Sequence, residues 1–450
     1  MTAKQQKRAT QSESHLFYQS RIARPRVARA EGVYLWDVDG RRYIDGSSGA
    51  MVSNIGHSNP RVLAAMREQM DRATFAYRLH FENEAAERLA ARLAEQCPAG
   101  IDRSFFVSGG SEAVESCIKL ARQYALARGE SGRVEIISRT PSYHGATLGA
   151  LAVTSYDPLN EPFAPMMRAM PKIPAPTCYL DRDDLSDEAR GLRYADMLAA
   201  KIEELGPSSV LAFLVEPIGG ASTGALVPPD SYLPRIREIC DEHGVLLIAD
   251  EVMTGAGRTG RFLGCDHWQV VPDLLAMAKG FGAGYVPLGA LATRADIVDA
   301  VFDAGGFQHG YTSAGNPLAC AAGLAVLDEL LQRELIAHAA SLGAMLKQRL
   351  EALMDEFGII GDVRGRGLLL AFELVADRET MAPLPPAQRA GERLINLAYE
   401  RGLILYGRRS RGGHAGDHVM VCPPLIATTT HVDEIIAKLE DSLRALVREL

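Results

Sequence analysis

The chain has no excess of positive charge. Its 48 Lys and Arg are outnumbered by 56 Asp and Glu, for a formal net charge of -8. A nucleic-acid binder needs a basic face, so that class of partner is not expected and a small molecule is. It also lacks a cysteine framework. The seven cysteines, Cys97, Cys117, Cys178, Cys240, Cys265, Cys320 and Cys422, are odd in number and form no C-x-x-C pair. They read as reduced thiols of a cytoplasmic protein, not as disulfides or a zinc site. No apolar run reaches the roughly 18–20 residues of a membrane span, and the first residues have no apolar core of a secretory signal. Repeats are missing, as is a strand-linked G-x-G-x-x-G and the lysine of a P-loop, which disfavours a nucleotide-binding module.

What is present is an ordinary globular composition, 47% hydrophobic and 23% charged over 450 residues. That length is too great for one small core. Residues 1–30 read as a polar arm or lead-in helix. Val33-Tyr34-Leu35-Trp36 and Arg42-Tyr43-Ile44-Asp45 flank the turn Asp37-Val38-Asp39-Gly40, which signals a β-hairpin. From about residue 60, helical periodicity (60–72, 82–96) alternates with compact apolar runs at 104–107, 134–137, 210–215 and 245–249. Continuous apolar runs between amphipathic helices predict a mostly parallel sheet in an α/β domain. Near 320 the texture shifts to one long helix from Pro317 through Arg333 and onward, then a final α+β portion holding a Gly- and Arg-rich stretch at 407–416 that reads as flexible. The expected division is an N-terminal arm and part of a small domain (1–60), a large cofactor-binding domain (61–320) and a C-terminal small domain (321–450).

Ligands of open parallel sheets lie beyond the carboxyl ends of the strands. Every chemically suggestive residue falls there. Asp250 closes the run Val245–Ala249, where it is either a helix cap or ion-pair partner or an acid that holds a proton on a ring nitrogen. Lys279 closes the run Leu274–Ala278. It is either a strand-end lysine reaching solvent or an amine whose apolar setting lowers its pKa, which is what Schiff-base formation with an aldehyde requires. On neighbouring strands the two would sit at opposite ends of one planar cofactor. Ser108-Gly109-Gly110-Ser111 opens a helix and offers free N–H groups to an anion, or is an ordinary glycine turn with a Ser/Glu cap. Tyr143 and His144 follow the next strand, Glu216 follows Val210–Val215, and Thr312 lies in a polar Gly-rich loop. Each also has a purely structural reading.

Together these segments resemble the class III (omega) aminotransferases of fold type I. The matching motifs are SGGSEA at 108–113, YHG at 143–145, ADEV at 249–252, GAGRTG at 255–260, AKG at 278–280 and HGYTSAGNP at 309–317. The resemblance implies a seven-stranded, mostly parallel sheet flanked by helices, with a small α+β domain built from the N- and C-terminal segments. It implies pyridoxal 5'-phosphate as cofactor. Lys279 would bind it and shuttle a proton, and Asp250 would pair with its ring nitrogen. Tyr143 and Val252 would pack on its faces. Gly110 and Ser111 would hold its phosphate, with Ser108, Gly109, His144, Glu216, Tyr311 and Thr312 completing the cofactor site. Thr312 would come from the second subunit of a homodimer with shared active sites, or of a tetramer. Relatives often carry Phe where Ala256 stands.

Many relatives also carry a single Arg after a G-L-I strand to hold the acceptor carboxylate. Here Gly402-Leu403-Ile404-Leu405 leads instead to Tyr406 and to Arg408, Arg409 and Arg411. Met51, Tyr77 and these three arginines are the candidate substrate contacts. The expected activity is transfer of an amino group from an amine or omega-amino acid to a keto acid such as pyruvate. Racemisation, aminomutation or decarboxylation on the same fold would use the same Lys and Asp.

Overall fold

The computed structural model describes residues 15–17, 19 and 24–450. Much of the polar arm expected at 1–30 therefore lies outside the described residues. Its end is not an arm: Val27–Glu31 is a strand, β1, paired antiparallel to β2 (Tyr34–Asp37). The hairpin expected from the Asp37–Gly40 turn forms between β2 and β3 (Arg42–Asp45).

The central sheet has seven strands. In chain order they are β4 (Ile101–Val107), β5 (Glu135–Thr140), β6 (Lys172–Pro174), β7 (Val210–Val215), β8 (Leu246–Asp250), β9 (Leu274–Met277) and β10 (Gly289–Arg294). Their spatial order is β4-β10-β9-β8-β7-β5-β6. Only β10 runs against its neighbours; the others are parallel. Every residue of β7 is buried, as expected of a strand covered on both faces by helices. The apolar runs of the sequence map onto β4, β5, β7 and β8, and their carboxyl ends share one edge.

The remaining strands are β11 (Ile360–Arg366), β12 (Leu369–Asp377), β13 (Ala382–Pro383), β14 (Leu403–Ile404), β15 (Tyr406–Arg411) and β16 (Ala415–Val421). Strand β14 joins the N-terminal sheet, pairing in parallel with β3 through Leu403↔Ile44 and Ile404↔Asp45. An N-terminal and a C-terminal segment are thus stitched together by backbone hydrogen bonds. An antiparallel sheet in the order β11-β12-β16-β15 packs beside it.

Two expectations are corrected. The long helix after Pro317 is two helices, Pro317–Gln332 and Leu335–Glu356, because Glu334 adopts a left-handed conformation at φ 52°. The Gly/Arg-rich stretch is not a loose loop. Most of it is the β15–β16 hairpin: Gly407 pairs with Val419 inside the ladder, and Gly412, Gly413 and Gly416 lie at or beside the turn. All seven cysteines are unpaired. Among the described residues no helix is long and apolar enough to cross a membrane.

Candidate active site

At the carboxyl edge of the central sheet lies a cavity of about 300 Å³. Strand β8 delivers Asp250 to its floor, 4% exposed. One carboxylate oxygen lies 2.8 Å from His144 Nδ1 and the other accepts the Val252 N–H at 3.0 Å. Adjacent β9 ends at Met277, and two residues on the chain turns through Lys279 in the left-handed region, at φ 48°. An L-residue is rarely held there without a reason in the surrounding structure. The turn places the Lys279 side chain in the cavity wall. Burial pulls its amine down from the ordinary 10.5 to about 8, against the pull of Asp250 and Glu216, which favour the charged form.

Glu216, the residue after β7, is 5% exposed. Burial pushes its carboxyl upward, with His144 and Arg139 pulling it back. One oxygen accepts the Gly220 N–H at 2.9 Å and the other has no hydrogen-bond partner. Behind it lies buried Arg139, which donates to the Glu216 carbonyl at 2.6 Å. The helix Gly110–Ala127 starts at the cavity with no side chain capping its first N–H groups. Gly110 is required by packing: a Cβ there would sit 2.9 Å from Val252 Cγ1. Ser111 Oγ accepts the Ala146 N–H at 3.0 Å, which leaves its own proton free. Tyr143 forms another wall. Burial raises its phenol pKa, with Arg408 opposing the rise.

These residues fit pyridoxal 5'-phosphate. An uncapped helix start and a serine hydroxyl suit its phosphate. A carboxylate locked by a histidine suits its ring nitrogen, an amine of lowered pKa suits its aldehyde, and Tyr143 and Val252 suit a flat ring. The unpartnered Nε2 of His144 and Oε2 of Glu216, both buried, are further polar atoms around this cavity.

Not every expected residue is at the cavity. Ser108, Gly109, Gly110, Ser111, Tyr143, His144, Glu216, Asp250, Val252 and Lys279 line it. Met51 does not; it is 1% exposed and packed in the core, while its neighbour Val52 lines the wall. Tyr77 lies outside, edge-on to His80. Thr312 is exposed, and Tyr311 packs edge-on against His309, both away from the lining. Of the three arginines, only Arg408 approaches, 5.9 Å from the Tyr143 ring centre. Arg409 is engaged by Asp417 at 3.3 Å and by the Pro386 carbonyl at 2.7 Å. Arg411 is engaged by the Met381 carbonyl and lies 3.8 Å from Glu373. Sequence reasoning missed Tyr156, whose ring lies 5.2 Å from the Arg408 guanidinium, and Arg139 behind Glu216. Arg139 follows an apolar run just as Asp250 does, a usable signal. Tyr156 carried none.

Fold and site together define a pyridoxal-phosphate enzyme. The model of the family "Aminotransferase class-III" matches residues 18–443. An uncharacterized aminotransferase, YodT of Bacillus subtilis, is 39% identical over 431 residues, covering 95% of this chain and 97% of that protein. A leucine/methionine racemase of Thermococcus litoralis is 35% identical, covering 93% and 90%. The crystal structure of an amine transaminase from an uncultivated Pseudomonas species, in its PLP-bound form, superposes with a TM-score of 0.90 at 36% identity, covering 96% of this chain and 99% of that one. The chain belongs to the class III aminotransferases, and its cofactor is pyridoxal 5'-phosphate.

Proposed function

We propose that this aminotransferase is of the omega type, moving an amino group from an amine or omega-amino acid to a keto acid such as pyruvate. The observation that carries this reading is a cavity with a lowered-pKa lysine and a buried Asp–His pair in its walls and one arginine 5.9 Å from the ring of its wall residue Tyr143. When bound, the cofactor supplies an electron sink for the carbon that loses its proton. The residues do the rest. Lys279 carries that proton between two carbons, a task suited to an amine that is substantially neutral near pH 8. Asp250, held by His144, keeps a ring nitrogen protonated. Tyr143 and Val252 would flank the ring and Ser111 would donate to the phosphate. Arg408 receives the acceptor carboxylate end-on.

The same reading assigns the chain to a homodimer, with Tyr311 and Thr312 of each copy completing the other's site. Support comes from Phe75, Leu79 and Phe81, all more than half exposed, beside a 305–316 loop that Arg78 holds through the His309 carbonyl at 3.0 Å. Exposed apolar patches of this kind mark interfaces. We also propose a cytoplasmic location and the division 1–60, 61–320 and 321–450. A second reading, racemisation of an amino acid, is favoured by the racemase relative. Incubating the holoenzyme with a panel of amine donors and pyruvate or 2-oxoglutarate separates them. Transamination yields a ketone or aldehyde and alanine or glutamate. Inversion of a chiral donor without keto product would overturn the proposal.

A further inference from the structure

Arg408 is held, not loose. Its Nε donates to the Tyr406 hydroxyl at 3.0 Å. Tyr406 and Arg408 are two apart on β15, so their side chains share one face. The guanidinium carbon lies 5.2 Å from the centre of the Tyr156 ring and 5.9 Å from that of Tyr143, both within reach of a cation–π attraction. Among the described residues no carboxylate pairs with it, and Nη1 and Nη2 make no hydrogen bond. A guanidinium fixed through Nε presents its two terminal nitrogens as a fork, the geometry that takes a carboxylate by two parallel hydrogen bonds.

Tyr156 is tied to the same hairpin. Its hydroxyl accepts the Arg409 N–H at 3.4 Å, and next to it the Asp157 N–H donates to the Gly412 carbonyl at 3.1 Å. His414 Nε2 lies 3.0 Å from the Asp157 carboxylate. Gly413 packs so closely on Pro158 that a Cβ there would come within 2.5 Å of its ring. The ring that covers Arg408 is therefore bound to the strand that carries Arg408, although some 250 residues separate them.

We infer that Tyr406 and Tyr156 are positioning residues for acceptor recognition: they preset the Arg408 fork, and so set the preference for carboxylate-bearing acceptors. The inference rests on the reading of Arg408 given under Proposed function. The test uses the holoenzyme with Arg408→Ala, Tyr406→Phe, Tyr156→Leu and the Arg408→Ala/Tyr406→Phe double variant. Steady-state kinetics are run against pyruvate with an amine donor that has no carboxylate. A hydrogen bond to a charged group supports a rise of about tenfold in the KM for pyruvate in Tyr406→Phe, with kcat within about twofold. Tyr156→Leu should raise the same constant less. The double variant should be no worse than Arg408→Ala alone, because a tyrosine that acts through the arginine has nothing left to position. If Arg408→Ala raises the KM and Tyr406→Phe does not, the positioning role is refuted and the Arg408 assignment stands. If Arg408→Ala leaves the KM unchanged, the assignment itself fails and the inference with it. A Tyr406→Phe variant that loses kcat and thermal stability at unchanged KM would show a structural tyrosine only, which also overturns the proposal.

Discussion

The state of Lys279 before the cofactor arrives can be measured directly. With the amine at about 8 in place of 10.5, the proton is lost more easily in the fold than in the free chain, so the neutral form gains at neutral pH. At pH 7 about one molecule in ten would carry a neutral amine, against roughly 3 in 10,000 for an ordinary lysine, an advantage of about 300-fold. Burial causes the shift, and Asp250 and Glu216 oppose it. Removing either opposing charge should therefore lower the value further. Apoprotein Asp250→Asn should add pyridoxal 5'-phosphate, or a small acylating reagent, faster at pH 7 than the wild type, although its turnover falls. The assay is apoprotein labelled over pH 6 to pH 11, with Lys279 modification read by peptide mass spectrometry against surface lysines as internal standards. A wild-type profile that rises only near pH 10.5, or an Asp250→Asn profile moved upward, would refute the electrostatic account. The sign extends to stability. An unfolded chain takes up this proton first, so the apoprotein should lose stability as the pH falls from 10.5 towards 8, and no further loss from this group should follow below that.

Two other substitutions, and a second readout of Asp250→Asn, probe the site. Lys279→Ala should leave the fold intact but remove covalent cofactor attachment and lower turnover by at least the order of 10²–10⁴ that a proton shuttle contributes; near-wild-type activity would sink the assignment. Asp250→Asn should keep cofactor affinity largely intact and slow the chemical step, visible as a slower single-turnover half-reaction with a good donor; an unchanged rate would leave Asp250 a structural job only. Gly280→Ala would bring a Cβ within 2.1 Å of Asn54 Nδ2. It should displace that amide from Arg258 and the Ala256 carbonyl at a cost of roughly 2–4 kcal/mol, read as a lower unfolding midpoint of the apoprotein. An unchanged midpoint would show that the neighbourhood gives way freely.

The central sheet was legible because its strands are buried on both faces and so read as unbroken apolar runs, and because its chemistry follows those runs by one or two residues. That rule picked out Asp250, Glu216 and Lys279, which the structure places around one cavity. What sequence could not show was a strand without an apolar pattern to announce it. The 407–416 stretch has glycines and arginines that suggest mobility, yet β16 supplies the partner that orders it. The break at Glu334 was hidden because helical periodicity runs on both sides of it. Met51 and Val52 illustrate a smaller failure: adjacent residues, one in the core and one at the cavity, differ by a backbone turn that no periodicity encodes.

The GAGRTG motif was visible and its job was not, because that job joins segments far apart in sequence. Arg258 is 1% exposed, and among the described residues no carboxylate pairs with it. Burial pulls its guanidinium down to about 10. A charge so placed is costly unless its hydrogen bonds are made elsewhere. Its two terminal nitrogens make them, to Asn54 at 2.6 Å and Ser48 at 3.1 Å in the N-terminal segment and to the Pro423 and Leu368 carbonyls at 2.6 and 3.2 Å in the C-terminal one, while Nε makes none. The Asn54 amide, held in turn by the Ala256 carbonyl at 2.9 Å, presses against Gly280, the residue after Lys279. One guanidinium thus ties both ends of the chain to the central domain directly behind the reactive amine. The left-handed turn at Lys279 has a rigid support on its outer side, and Val52, two residues from Asn54, is carried to the cavity wall by the same anchorage. The proton transfer proposed for Lys279 needs its backbone fixed while its side chain moves, and this clasp supplies the fixed part.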